Sequence, residues 1–178
     1  KNASLGEMTV QLEKEGIHVP KGFALNTAAF ELTLIQNDIK YKLEALLNQI
    51  NPLTLDGLTE ASNACRKLFD RCDLPLEVKN EIRAAYRQMG ATSVAVRSSA
   101  TAEDLPTASF AGQHESFLNI EGEPALIKAV LRCYRSLYSE RAIKYRIDNG
   151  FEHMKVALSV GIQKMVRSDL GSAGVIFT

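Results

Sequence analysis

Through the first half of the chain apolar residues recur at helical spacing, and in the second half they pass to alternation. Leu5, Met8 and Leu12 follow Asn2 and Ser4, two residues able to cap, and Gly16 stands where a C′ glycine would close the turn. A first helix is predicted over about residues 3 to 15. Pro20 and Gly22 interrupt the run from Ile17 to Leu25, which reads as a short extended segment, and Thr27 opens a second helix through Phe30 and Leu34. Asp38 is a candidate cap for a third. Its stripe of Ile39, Leu43, Leu46, Leu47 and Ile50 is the strongest amphipathic pattern in the chain, and Pro52 stops it. Leu58, Cys65, Leu68 and Cys72 form a fourth helix. Pro75 at N1 starts a fifth, carrying Val78, Ile82, Ala85, Tyr86 and Met89 and ending at Gly90.

From Thr92 the texture changes. Val94 and Val96 alternate in a short strand, Arg97 to Pro106 is polar and turn-rich, and Phe110 to Ile120 is again extended. One long helix is predicted from near Pro124 to Gly150, with Leu126, Val130, Tyr134, Leu137 and Tyr138 on one side. Val156 to Val166 and Ser172 to Phe177 flank the polar, Gly-terminated connection from Arg167 to Gly171, which suits an antiparallel hairpin. The fold class is therefore α+β, helices followed by a mainly antiparallel sheet, in one domain over residues 1–178 with a weak internal boundary near 90–92. The β-prone run from Gly174 to Thr178 at one end, and a start at Lys1 without an initiator Met, lead to the expectation of a piece of a larger enzyme.

Composition narrows the function classes. The chain of 178 residues carries 21 Lys+Arg against 21 Asp+Glu, so it has no global positive field to hold nucleic acid or an anionic membrane. Anion binding has to be local. No run of about 18 apolar residues and no targeting segment is present, which makes the cytoplasm the expected location. Three cysteines, an odd number, speak against a disulfide framework. Cys65 and Cys72 sit seven positions apart in a helical pattern, a rise of roughly 10 Å, beyond the roughly 7 Å that a bridge tolerates. His18, His114 and His153 form no HExxH motif or close pair, so no metal ligand is assigned.

Three segments carry candidate chemistry. In the run from Val94 to Pro106, Arg97 places a guanidinium where a strand gives way to a hydroxyl-rich loop, an arrangement suited to clamping phosphate. Equally, Arg97 pairs with Glu103 or Asp104 while Ser98 caps a turn. The small residues from Ala108 to Gln113, with Gly112 among them, permit close approach of backbone amides to an anion or form a tight hairpin turn. Lys1, at the entry to the first helix, is either a phosphate contact or a solvated terminal charge.

Five segments together resemble the phosphoenolpyruvate synthases. They are Lys1 to Met8, Val19 to Ala24, Val94 to Gln113, Arg141 to Arg146, and Gln163 to Asp169. The resemblance spans the chain in order and covers the first part of that family's N-terminal nucleotide-binding domain, which is ATP-grasp-like. Pyruvate phosphate dikinase is similar but departs after its Val-Arg-Ser, and rifampicin phosphotransferases share the run from Arg97 to Pro106. The resemblance implies a reaction in which ATP, pyruvate and water give AMP, phosphoenolpyruvate and phosphate through a phosphohistidine on another domain. It implies that Lys1 and Arg97 hold ATP phosphates, that the loop around Gly112 and Gln113 covers them, and that Gln163, Met165 and Val166 offer backbone groups to adenine. It further implies magnesium ligands beyond Thr178, pyruvate met by other domains, and room for a homodimer of the complete enzyme. Neither Glu103 nor Asp104 is assigned to magnesium, and no histidine here is the carrier. By itself the chain is expected not to turn over and to bind ATP weakly or not at all. Two rivals stand beside this reading: a phosphotransferase with another acceptor, such as rifampicin, and a non-catalytic module that docks through an exposed Ile39–Ile50 stripe.

Overall fold

A computed structural model describes residues 2–50, 55–90, 92–100, 104–105, 108–109 and 115–174. Helix α1 (Asn2–Leu12) tightens into a 3-10 turn at Glu13–Glu15 and stops at Gly16, whose φ of 75° lies in the left-handed region. Strand β1 (Gly22–Leu25) leads to α2 (Thr27–Gln36), where the Asn26 side chain accepts from the Ala29 amide at 3.1 Å. Helix α3 (Lys40–Asn48) lacks the cap expected of Asp38. Capping requires an extended backbone, but Asp38 has a φ of 51°, and its carboxylate pairs instead with Lys42 one turn on. Helix α4 (Leu55–Phe69) ends before Cys72, which lies in the following turn. Pro75 occupies the N-cap of α5 (Leu76–Met89), one position before the N1 place predicted, and Gly90 closes it at φ 59°.

Strand β2 (Ser93–Ala100) runs on through Arg97 and Ser99, four residues further than the alternation of Val94 and Val96 predicts. The short pair β3 (Asp104–Leu105) and β4 (Ala108–Ser109) follows, and then β5 (Ser116–Glu121). The long helix predicted from Pro124 divides into α6 (Glu123–Ser136) and α7 (Glu140–Asp148). Ser139 starts a new helix by accepting from the Ala142 amide at 3.3 Å.

Strand β6 (Leu158–Lys164) takes the centre of a four-stranded sheet of order β1-β6-β2-β5, antiparallel throughout. Both of its edges are occupied, by β1 and β2, so β6 itself offers no free edge for the hairpin mate expected over Ser172 to Phe177. Residues 172–174 lie in no regular element, and the rest of that predicted strand falls outside the described residues.

One face of the sheet forms the core. Val94 and Val96 of β2 and Leu158, Val160 and Ile162 of β6 pack with Leu126, Val130 and Tyr134 of α6, and Phe30 of α2 meets the Tyr134 ring edge-on at 5.0 Å. Ile39, Leu43 and Leu47 are buried in the same cluster, with Leu46 and Ile50 packed against it. Burial of that stripe removes the apolar docking face on which the non-catalytic alternative depends.

Candidate functional site

Alternation in each strand sends the other set of side chains to the opposite face of the sheet. Gly22 and Ala24 come from β1, Ser159, Gly161 and Gln163 from β6, and Ala95, Arg97 and Ser99 from β2. The register sets Arg97 opposite Gly161, Ala95 opposite Gln163, and Gln163 opposite Gly22. Small side chains leave this face low, and α1 crosses above it. Between helix and sheet lies a cavity of about 650 Å³, lined by Asn2, Leu5 and Thr9 of α1 and by Arg97, Gly161 and Gln163 among others. A volume of this order accommodates a small organic ligand.

Among the described residues, Arg97 is the one charged side chain on that lining. Its side chain is exposed, and among the described residues no carboxylate lies within ion-pair distance of it. The pairing with Glu103 or Asp104 considered from spacing involves side chains outside the described residues. A forked cation with open donors beside a cleft is an anion-binding group. Gln163 turns its amide to the floor, where Nε2 donates to the Pro20 carbonyl at 3.2 Å.

The segment after β6 is more committed to its own structure than expected. The Met165 amide donates to the Ser93 carbonyl at 3.0 Å, and the Val166 carbonyl accepts from the Ser168 amide at 2.9 Å. Val166 itself is exposed. Arg167 grips Asp169 with two parallel bonds, Nε to Oδ1 at 2.8 Å and Nη2 to Oδ2 at 2.6 Å, which holds the Asp169 carboxyl below the ordinary carboxylate range. Lys1, Gly112 and Gln113 lie outside the described residues.

Sequence reasoning passes over three groups at this site. Asn2 Nδ2 donates to Ser159 Oγ at 2.6 Å, and Ser159 Oγ donates to the Leu25 carbonyl at 2.7 Å. Gly161 lies under the Asn2 side chain, and a Cβ there would collide with Asn2 Oδ1. The alternation of Ser159, Gly161 and Gln163 with Leu158, Val160 and Ile162 is the signal that could have singled out this face.

Away from the cavity, the Arg141–Arg146 motif has an internal task. Arg146 is fully buried, donating from Nη1 to the Leu137 carbonyl at 2.7 Å and from Nε to His153 Nδ1 at 2.8 Å. Burial lowers its pKa to about 10, so it stays charged at neutral pH. Among the described residues no three His, Cys, Asp or Glu side chains converge as a metal site. No helix there is long and apolar enough to cross a membrane.

Comparison with known proteins matches the whole chain, residues 1–178, to the family described as pyruvate phosphate dikinase, AMP/ATP-binding domain. The chain is 48% identical over 184 residues to the phosphoenolpyruvate synthase of Helicobacter pylori and 48% identical over 179 residues to that of Deinococcus radiodurans. Against the phosphoenolpyruvate synthase of Escherichia coli it is 46% identical over 182 residues. Each alignment covers 100% of this chain and 23% of the relative, so the chain spans about a quarter of the length of these curated relatives. With a match running from its first residue to its last, the chain belongs to the pyruvate phosphate dikinase AMP/ATP-binding domain family.

Proposed function

We propose that this chain is the ATP-binding part of a phosphoenolpyruvate synthase. The observation that carries the reading is Arg97, held without a carboxylate partner among the described residues on the small-residue face of the sheet and opening into the cavity under α1. The identity to named phosphoenolpyruvate synthases over the whole chain supports it over the rifampicin-type alternative. In this reading the fold is ATP-grasp-like, and the complete enzyme acts in the cytoplasm with pyruvate bound by other domains.

Conversion of ATP, pyruvate and water to AMP, phosphoenolpyruvate and phosphate breaks two phosphoanhydride bonds. One phosphoryl group reaches the enol oxygen of pyruvate by way of a histidine on another domain, and the other goes to water. Phosphoryl transfer of this kind needs positioning and neutralisation of charge on the equatorial oxygens rather than a nucleophile in the nucleotide domain. Arg97 supplies forked donors to those oxygens. Lys1 adds a second cation at the amino end of α1, and the loop bearing Gly112 and Gln113 covers the phosphates. The adenine edge is read along Gln163 to Val166. Because the Met165 amide is already bonded to Ser93, the Val166 amide is the donor for that edge. Magnesium accompanying ATP would add neutralising charge, and it is assigned to no residue of this chain.

The test is a comparison of half-reactions in the complete protein that carries this chain. Arg97→Ala should abolish phosphoryl loading of the carrier histidine from ATP while leaving loading from phosphoenolpyruvate intact. Loading from ATP at the parental rate would refute the role of Arg97.

A further inference from the structure

The relay through Asn2, Ser159 and Leu25 has a fixed direction. A serine hydroxyl carries one proton, and Ser159 gives it to the Leu25 carbonyl, so Ser159 meets Asn2 only as an acceptor. The group above it must be a donor, which the Asn2 amide is. The two bonds tie together positions far apart in the chain, 157 and 134 residues distant. They join the first turn of α1, the central strand and the end of β1. Gly161 is the permissive element. Lacking a side chain, it lets the Asn2 carboxamide lie flat on the strand, beside the register position of Arg97.

We propose that this relay is a positioning device, in which Asn2 acts as a donor clasp that holds the amino end of α1 at a set distance from Arg97 so that a phosphate chain meets both together. The inference rests on the nucleotide reading above. Asn2 touches no reacting atom in this account; it acts through the placement of α1. Small displacements of binding groups weaken a multi-contact anion site far more than they weaken the fold.

The complete protein is assayed by displacement of a fluorescent ATP analogue, by thermal midpoint without nucleotide, and by phosphoryl loading from phosphoenolpyruvate. Asn2→Ala and Ser159→Ala should each weaken ATP binding by roughly tenfold, the scale of one lost hydrogen bond. The double variant should be no weaker than either single one, because both remove the same bond. Loading from phosphoenolpyruvate should be unchanged. Gly161→Ala should lower the thermal midpoint by its collision with Asn2. Adding Asn2→Ala to it should restore the midpoint but not the affinity, a separation that a merely structural contact would not produce. Unchanged ATP affinity in Asn2→Ala and Ser159→Ala, or affinity restored together with stability in the Asn2→Ala/Gly161→Ala variant, overturns the clasp. If the parent protein binds no ATP analogue, the nucleotide reading and the clasp fall together; if only the variants behave like the parent, the clasp alone falls.

Discussion

Arg146 in α7 donates to the main-chain carbonyl of Leu137 across the break between α6 and α7, at 2.7 Å and out of contact with solvent. That bond satisfies a carbonyl that the end of α6 leaves without a helical partner. The guanidinium also lies 5.9 Å from the Tyr138 ring centroid, and its Nε donates to neutral His153. Arg146→Ala would leave the buried Leu137 carbonyl and the half-buried His153 Nδ1 without that donor and open a cavity. A loss of about 3–5 kcal/mol is expected, read from urea denaturation, whereas a loss under about 1 kcal/mol would mean the site refills with water.

His153 makes the same corner sensitive to acid. Burial first, and then the positive charge of Arg146, lower its pKa from 6.5 to about 4. Above pH 6.5 the imidazole is neutral in both states and contributes nothing. Between about 6.5 and 4 the unfolded chain takes up a proton that the folded chain refuses, so stability falls as pH falls. Unfolding free energies at pH 7.5 and pH 5 should differ more in the parent than in His153→Asn, which keeps an acceptor toward Arg146 but does not titrate. Equal pH dependence in the two proteins would remove this role.

Ser139 separates two helices that the apolar stripe would join. Ser139→Ala removes the side-chain acceptor for the Ala142 amide and should destabilise by about 1 kcal/mol. Circular dichroism on thermal unfolding would record the loss, and an unchanged midpoint would show that Arg146 alone maintains the break.

Thiol reactivity separates the three cysteines. Burial pushes Cys65 up to about 11 and Cys133 up to about 12, leaving almost no thiolate at pH 8. Cys72, half-buried with its thiol on the Leu68 carbonyl at 3.2 Å, is raised less. A disulfide reagent should label one thiol slowly in the native protein and all three in urea. Rapid native labelling of two or more would contradict the burial of Cys65 and Cys133.

Arg97→Lys keeps the charge but replaces a planar fork with a point charge. Nucleotide affinity should fall by roughly tenfold, and by about a hundredfold for Arg97→Ala, consistent with charged hydrogen bonds of about 1.5–3 kcal/mol. Neither variant should move the thermal midpoint, since the Arg97 side chain is exposed and bonds to none of the described residues. A shifted midpoint would reveal a structural partner instead.

Local chemistry made much of this legible in one dimension. Gly16 and Gly90 end their helices at positive φ, as a glycine after an apolar periodic run implies. Arg97 is marked in the linear chain by its side-chain chemistry and Gln163 by the family resemblance, and the fold brings both to one cavity. Asn2, Ser159 and Gly161 are ordinary residue types, and what they do depends on meeting one another. The stripe from Leu126 to Tyr138 gives no sign of a break, because Leu137 and Tyr138 are both buried on the expected side while the backbone between helices is turned by Ser139 and held by Arg146.

Periodicity, turn residues and one long polar motif determined by themselves the helices of the first half, the α+β class and the place of the cationic strand, since each depends on neighbours within a few positions along the chain. Tertiary structure alone decided that β6 lies between β1 and β2, that Arg97 faces Gly161, and that Asn2 closes over both. Pairing of strands more than a hundred residues apart is set by which faces must be buried together, and that is a property of the assembled core rather than of any local segment.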